Sequence, residues 1–233
     1  YEKVDEEEGP AEQDSLFSAG QKPDKHGYIR HDSITDWSLA LFQKTYKDKT
    51  ISKEDIFWYV YGILHSPEYR QRFAVDLKKG LPRMPLAADF WAFSSAGRAL
   101  GKLHIAYESV EPFQLHEESL RLVMEAGDYK VAKMSFGKKD GKPDRSVIVY
   151  NEHLVLRGVP SKAYDYVVAG KSAVEWVMER YQVTIDKDSQ IRNDPNVWSN
   201  DPRYIVDLLK RVVRVSVESA DIIASLPPLK ERT

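Results

Sequence analysis

Near residue 110 the hydrophobic pattern of this chain changes period, and that change constrains the fold more than any other feature. Before it, apolar residues recur at three- and four-residue spacing. After it, β-branched residues gather in short runs between turn signals. Helical and strand-bearing stretches that follow one another rather than alternate belong to the α+β class. The expectation is a helical scaffold subdomain, a small and mostly antiparallel β subdomain, and a C-terminal helix packing back.

The helical stretch is punctuated by clear starts and stops. Ser33 opens a run that puts Ile34, Trp37, Leu41 and Phe42 on one face. Ser52 precedes Lys53, Glu54 and Asp55, a cap followed by acids in the first turn. The apolar helix that follows should end at His65-Ser66-Pro67, with Ser66 capping a third helix on which Tyr69, Phe73 and Leu77 are four apart. Leu81 to Leu86 contains two prolines and must be extended. From Asp89 to Tyr107 a long helix is predicted, with Phe90, Phe93, Ala96, Leu100, Leu103 and Tyr107 buried.

Beyond residue 110, strands are predicted at 129–136 and 147–150, with 153–156 continuing the sheet. The turn-rich segment Gly137 to Asp144 should form the hairpin loop between the first two. Ser172 caps a short helix to Tyr181, with Val174, Val177 and Met178 inward. Turns follow at Asn193-Asp194-Pro195-Asn196 and Asn200-Asp201-Pro202. A final helix should run from Arg203 to Ala224 and stop at Pro227-Pro228. The expected organisation is a leader at 1–27, a helical subdomain at 28–110, a β-rich recognition subdomain at 111–200, and the last helix and tail at 201–233.

Composition matters for what the chain can do. It has 233 residues and no cysteine, which removes disulfides, thiolate zinc sites and cysteine nucleophiles, and fits a reducing cytoplasm. No apolar run approaches the roughly 18 residues that a membrane span needs. A start at Tyr1 reads as a fragment of something longer. Residues 1–14 hold seven acids against one lysine, a net of −6. The whole chain carries −2, so the remainder carries +4. A mildly basic body permits nucleic-acid binding without requiring it.

No complete catalytic site is evident. His26, His31, His65, His104, His116 and His153 are scattered, without metal-ligand spacing. There is no phosphate loop and no nucleophile elbow. Asp128-Tyr129-Lys130 has the acid-x-lysine form of a metal-dependent nuclease, but no partner strand precedes it. Phe57, Trp58, Tyr59 and Tyr61 spread round a helix, and they and Trp91 and Phe93 read as packing; Trp176 and Trp198, beside polar turns, read as exposed. The basic features carry more. Lys138, Lys139, Lys142 and Arg145 surround the hairpin, where they can meet phosphates or base edges. Arg192, Asn193 and Asn196 supply the side chains that read guanine and adenine edges bidentately. Arg83 and Lys171 are secondary candidates.

Several blocks together resemble a known family. Ile56 to Arg70 (IFWYVYGILHSPEYR) is similar to the helix-break-helix of the C-terminal specificity domain of Type ISP restriction-modification enzymes. Asp76 to Leu86, Asp89 to Phe93, Gly97 to His104, Gly170 to Tyr181 and Asp201 to Val206 resemble further blocks of that domain in the same order, covering about residues 28 to 225. Enzymes of that family join a nuclease, an ATP-driven helicase-like translocase, an S-adenosylmethionine-dependent adenine methyltransferase and a terminal target-recognition domain. The Asn-Pro-Pro-Tyr motif of the methyltransferase and the helicase phosphate loop are absent here, so the resemblance is to the last part only.

The resemblance implies a reader of double-stranded DNA with no cofactor of its own. S-adenosylmethionine, ATP and magnesium would belong to the methyltransferase and helicase-like domains of the same polypeptide. It carries over no base-contacting residue. The competing reading is a scaffold module that docks those domains without touching bases; its signature would be an exposed apolar patch.

Overall fold

Helix starts are where side chains most visibly shape this backbone. The computed structural model describes residues 2–3, 25–29, 32–80 and 82–232, so most of the acidic leader lies outside the described residues. The chain divides into two units, Tyr1–Phe57 and Trp58–Thr233.

In the first unit, strands β1 (Glu2–Lys3) and β2 (Tyr28–Ile29) pair antiparallel. Helix α1 (Asp36–Tyr46) begins two residues later than the sequence predicts, because Thr35 rather than Ser33 is the cap and accepts from the Ser38 N–H. Phe42 is buried on it, whereas Trp37 is exposed; the predicted inward stripe does not include Trp37. Lys47 closes the helix in the left-handed region at φ 53°. The Gln43 amide then donates to the Ile51 carbonyl and fixes the turn into α2 (Lys53–His65). Ser52 and Asp55 satisfy each other's backbone N–H reciprocally at its start. Helix α2 runs across the boundary between the two units.

The second unit opens with α3 (Pro67–Arg72), capped by the Ser66 hydroxyl as predicted. The chain then re-forms as a separate short helix, α4 (Ala74–Lys78), so Tyr69 and Leu77 do not share one helix. The connector from Pro82 to Leu86 is extended. The Tyr59 hydroxyl holds it, donating to the Pro85 carbonyl and accepting from the Ala87 N–H. Asp89 caps α5 (Phe90–Ile105). Phe90, Phe93 and Leu100 are buried on it, while Tyr107 lies past its end and is exposed. Helices α2 and α5 cross at glycines: a Cβ on Gly97 would sit 1.9 Å from the Trp58 carbonyl oxygen, and one on Gly62 2.2 Å from that of Phe93. Close backbone approach is what a mid-helix glycine offers in return for its cost of about 1 kcal/mol against alanine.

The second stretch forms a four-stranded antiparallel sheet of β3 (His116–Ser119), β4 (Ser135–Lys139), β5 (Lys142–Val149) and β6 (Leu154–Arg157), in the order β3-β6-β5-β4. Two sequence expectations need correction. The residues before Ser135 are not strand; Ala126–Tyr129 form a 3-10 turn, and Val131 and Met134 plug the core from irregular backbone. The segment 137–144 is not a long loop. The strands run through it, and only Asp140 (φ 51°) and Gly141 (φ 76°) turn the chain. Both have positive φ, the type I′ geometry that an Asp-Gly pair favours and that matches strand twist. Strand β3 was missed, because His116-Glu117-Glu118-Ser119 carries no apolar alternation.

After the sheet, β7 (Val167–Val168) and β8 (Lys171–Ser172) form a small ladder leading into α6 (Ala173–Arg180), where Ser172 and Glu175 make a capping box. A second ladder, β9 (Thr184–Ile185) and β10 (Arg192–Asn193), lies where the sequence suggested only turns. Helix α7 (Tyr204–Ala224) follows and ends before Pro227-Pro228. Its buried face, with Val206, Leu209 and Val213, joins one core with Ile148, Leu154 and Leu156 of the sheet. No helix of the described residues is long and apolar enough to cross a membrane.

Candidate nucleic-acid interface

The hairpin of β4 and β5 projects its tip away from that core. Lys138, Lys139 and Lys142 are exposed there, with Lys139 directly across from Lys142 in the register. None of the three side chains makes an ion pair or hydrogen bond among the described residues. Below the tip the register shifts between Phe136 and Gly137. Asp144 shapes this irregularity by accepting from the Ser146 hydroxyl (2.6 Å) and N–H (2.9 Å). Those bonds hold its carboxyl below the usual range. The tip is therefore a two-residue turn above a hydrogen-bonded bulge, flanked by three exposed lysines.

Arg145 stands two steps below and is already engaged. Its guanidinium lies 4.2 Å from the centroid of the Tyr164 ring and 5.1 Å from that of Phe136, and it pairs with Glu175 at 2.9 Å. The secondary candidates are engaged as well. Lys171 pairs with Glu179 and, with Arg180, flanks the Trp176 ring. Arg83 faces Asp76 at 3.6 Å from the connector. Neither is brought to the hairpin tip by any contact described.

The polar loop predicted around Arg192, Asn193 and Asn196 divides into two functions. Asn196 is scaffold: its amide accepts from the Val131 N–H and donates to the Val131 carbonyl, both at 2.8 Å, and also donates to Asp194. These bonds root the β9–β10 ribbon to the segment before β4. Arg192 and Asn193 lie on the ribbon itself and are exposed. Arg192 is steadied by Asp194 at 2.9 Å, leaving the rest of its fork open.

Sequence spacing hid two polar clusters. Glu117 on β3 accepts from both ends of the Arg203 guanidinium (2.8 and 3.2 Å) and from Lys210 (2.7 Å). Burial alone would raise the Glu117 carboxyl, but the two cations win and hold it low. Arg203 also lies over the Tyr129 ring and is held protonated by Glu117. The second cluster joins histidines that look unrelated in sequence. His104 accepts or donates at both ring nitrogens, to the Tyr61 hydroxyl (2.7 Å) and the Ser219 hydroxyl (2.9 Å), with the His65 ring 5.6 Å away. Burial, reinforced by His65, pushes His104 down to about 4.

The nuclease reading of Asp128 and Lys130 does not match the geometry. Asp128 sits in a 3-10 turn and accepts from the Glu125 N–H, with Arg121 at 3.2 Å, so its oxygens are spent on structure. Among the aromatics, Tyr59 and Phe93 are buried as expected, but Phe57 and Trp91 are exposed, correcting the packing assignment for those two. Trp198 is exposed, and Trp176 is half-buried with its indole N–H on the Val168 carbonyl.

The Type ISP C-terminal specificity domain matches residues 4–208. No curated protein matches the chain. Among solved structures, the chain resembles a nuclease-deletion mutant of the Type ISP restriction-modification enzyme LlaGI, in complex with a DNA substrate mimic: 40% identity, TM-score 0.70, covering 79% of this chain. The ATP-dependent Type ISP enzyme LlaBIII, bound to DNA, gives 32% identity, TM-score 0.77 and 91% coverage. A DrdV–DNA complex gives 34%, 0.75 and 90%. The chain spans only 14%, 13% and 21% of those three polypeptides.

Proposed function

This chain belongs to the family of Type ISP C-terminal specificity domains, and from that premise we propose that it reads the sequence of duplex DNA and supplies a target to catalytic domains carried elsewhere in a longer polypeptide. The observation that carries the reading is the contrast in commitment among its cations. Arg83, Arg145, Lys171, Arg192, Arg203 and Lys210 all have carboxylate partners. Lys138, Lys139 and Lys142 make no side-chain ion pair among the described residues, as is also true of Lys47, Lys49, Lys78, Lys79 and Lys187, but these three flank one two-residue turn. Lysine is a point charge suited to phosphate, which positions a protein on the duplex. Base reading falls to Arg192 and Asn193 on the β9–β10 ribbon, each bidentate contact giving about 1–3 kcal/mol of discrimination.

In this reading ATP, S-adenosylmethionine and magnesium are used by the nuclease, helicase-like and methyltransferase parts, and the enzyme works in the cytoplasm, where the chain's lack of cysteine is no handicap. A second reading has support of its own. Leu120, Leu122 and Val123 form an exposed apolar loop after β3, which suits docking against another domain. A salt titration of duplex binding separates the two. Changing Lys138, Lys139 and Lys142 to alanine should lower the slope of log affinity against log salt by about 3, one per phosphate contact. Unchanged affinity with an unchanged slope favours the docking module.

A further inference from the structure

Arg192 is the exposed end of a series of hydrogen bonds that starts in the core. Val131 is buried, and both of its backbone groups are taken by the Asn196 amide, at 2.8 Å each. The amide nitrogen and the N–H of Asn196 also donate to Oδ1 of Asp194, at 2.8 and 3.1 Å. Oδ2 of Asp194 then accepts from the Arg192 guanidinium at 2.9 Å. The Asn196 amide first, and Arg192 after it, hold the Asp194 carboxyl below its ordinary range, so it stays charged. Three side chains thus tie a fixed point of the sheet core to a fork that is 63% exposed. The ribbon carrying the fork is itself held at both ends. At its root the Val183 N–H donates to the Ala132 carbonyl, next to the Asn196 anchor. At its far end the Asp186 carboxylate accepts from the N–H groups of Asp188 and Ser189 and from the Ser189 hydroxyl. Asn193 differs on both counts. Its amide makes no hydrogen bond among the described residues, and it pairs with Thr184 on the face opposite to Arg192 and Ile185.

We propose that Asp194, anchored through Asn196, is a positioning residue that aims Arg192 at the O6 and N7 acceptors of a guanine in the major groove. The inference rests on the duplex-DNA reading above and deepens it, by naming the base and a residue that selects it without touching it. The surroundings favour guanine over phosphate. A guanidinium fork meets either of them bidentately, and Asp194 leaves the other N–H donors of the fork for that purpose. The ribbon and its root, however, carry Asp186, Asp188 and Asp194 against Lys187 and Arg192. An anion reaching the fork meets a majority of acids, one of them already bound to the guanidinium. A base edge is neutral and meets no such repulsion. A two-stranded ribbon also has a width that the major groove admits. Orientation is what the bonds to the core add: an arginine held by a carboxylate has less rotamer freedom to lose on binding than one swinging on its stem. Asn193 has no such hold, and an approach that seats the Arg192 face on a base pair turns Asn193 away from that pair. Arg192 is therefore the principal discriminating contact, while the lysine tip adds sequence-independent attraction.

The test uses the full chain and a duplex selected from a random-sequence pool. Each guanine is replaced in turn by 7-deazaguanine, which deletes the N7 acceptor, and by hypoxanthine, which keeps N7 and O6 and lacks only the minor-groove amino group. Wild type should lose about tenfold in affinity at one 7-deazaguanine position and tolerate hypoxanthine there. Arg192→Lys, which has no fork, should be indifferent to 7-deazaguanine at that position. Asp194→Asn keeps an acceptor for the Asn196 N–H but loses the charge that holds the fork. It should lose most of the discrimination and yet bind unrelated duplex more tightly. Its salt slope should steepen by up to about one, because the released guanidinium can now meet a phosphate. The Lys138, Lys139 and Lys142 alanine variant should bind more weakly and still discriminate. A wild type indifferent to every 7-deazaguanine, or as sensitive to hypoxanthine, overturns the guanine assignment alone, and so does an Arg192→Lys variant as sensitive as wild type. An Asp194→Asn variant that discriminates fully, or that loses discrimination only along with its thermal midpoint and its affinity for every duplex, overturns the positioning role. A chain that retains no duplex at all overturns the DNA reading with it.

Discussion

Arg203 and Lys210 on one side, and Lys138, Lys139 and Lys142 on the other, are similar cationic groups in opposite states of commitment. The first pair converges on Glu117 beside the sheet–α7 core, with Lys210 almost fully buried. The three lysines flank a two-residue turn and make no ion pair among the described residues. A cation inside a fold must bring its anion with it, because an uncompensated buried charge is costly. A cation kept unpaired on a rigid tip contributes nothing to the fold and is available to an external anion. The number of lysines in a segment therefore says little, and what the carboxylates are doing says much.

Removing Glu117 should break the inner half of that comparison most visibly. Glu117→Ala leaves Lys210 without its anion while Arg203 keeps Asp207 at 3.1 Å, and loss of one partner from a buried pair costs about 3–5 kcal/mol. The cluster is partly solvated at Arg203, so about 2–3 kcal/mol is expected by denaturant titration. A loss below about 0.5 kcal/mol would show that the cluster is a surface pair of little consequence. The pH dependence sharpens the same point. Glu117 is held below its ordinary value of 4.5, so its contribution is complete above about pH 4.5 and disappears as pH falls through the lower folded value. His104 is depressed too, from 6.5 to about 4. The unfolded chain takes up a proton at this histidine first, so stability should begin to fall near pH 6.5. Glu117→Gln should flatten the steeper loss below pH 4.5 and leave the shallower one between pH 6.5 and 4 in place.

These two clusters also mark where sequence reading stops. Most caps, the breaks and the last helix were legible, because serine caps, prolines and helical stripes act within a few residues. Ser52, Ser66 and Ser172 cap the helices assigned to them, whereas the first helix is capped by Thr35 rather than started at Ser33. The class of the fold followed from the change of period. What was not legible depends on distance along the chain: Glu117 meets Arg203 and Lys210 from 86 and 93 residues away, and His104 meets Ser219 from 115. Strand β3 was invisible because an edge strand of His, Glu and Ser has no alternation to detect. The site was half legible. Lysine density in a turn-rich segment located the hairpin, but not its two-residue turn at Asp140 and Gly141. Residue type alone could not tell Asn193, which is exposed, from Asn196, three residues on, whose amide is consumed by Val131.

Arg145 lies between the two extremes and decides how sharp the contrast is. It shares the hairpin with the free lysines but is stacked on Phe136 and Tyr164 and paired with Glu175. If commitment is the right criterion, Arg145→Ala should cost about 1 kcal/mol of stability, from two partly exposed ring contacts and one ion pair. It should change the salt slope of DNA binding by much less than the one unit expected for each tip lysine. A full unit lost from the slope, with no loss of stability, would place Arg145 with the tip instead.

The smallest effect carries the opposite sign. Lys139 faces Lys142 directly across the ladder, with Lys138 beside them, and like charges opposite one another destabilise an antiparallel pair. Only Asp144, already bound to Ser146, offers Lys139 a neighbouring anion. Replacing the three lysines by alanine should therefore leave the thermal midpoint unchanged or raise stability by up to about 0.5 kcal/mol, more at low salt than at high. A residue kept for the fold lowers stability when it is removed, whereas one kept for a partner relieves the fold of a strain. A fall in the midpoint of the triple variant would mean that the tip lysines support the hairpin, and the distinction between inner and outer cations would fail at the place where it matters most.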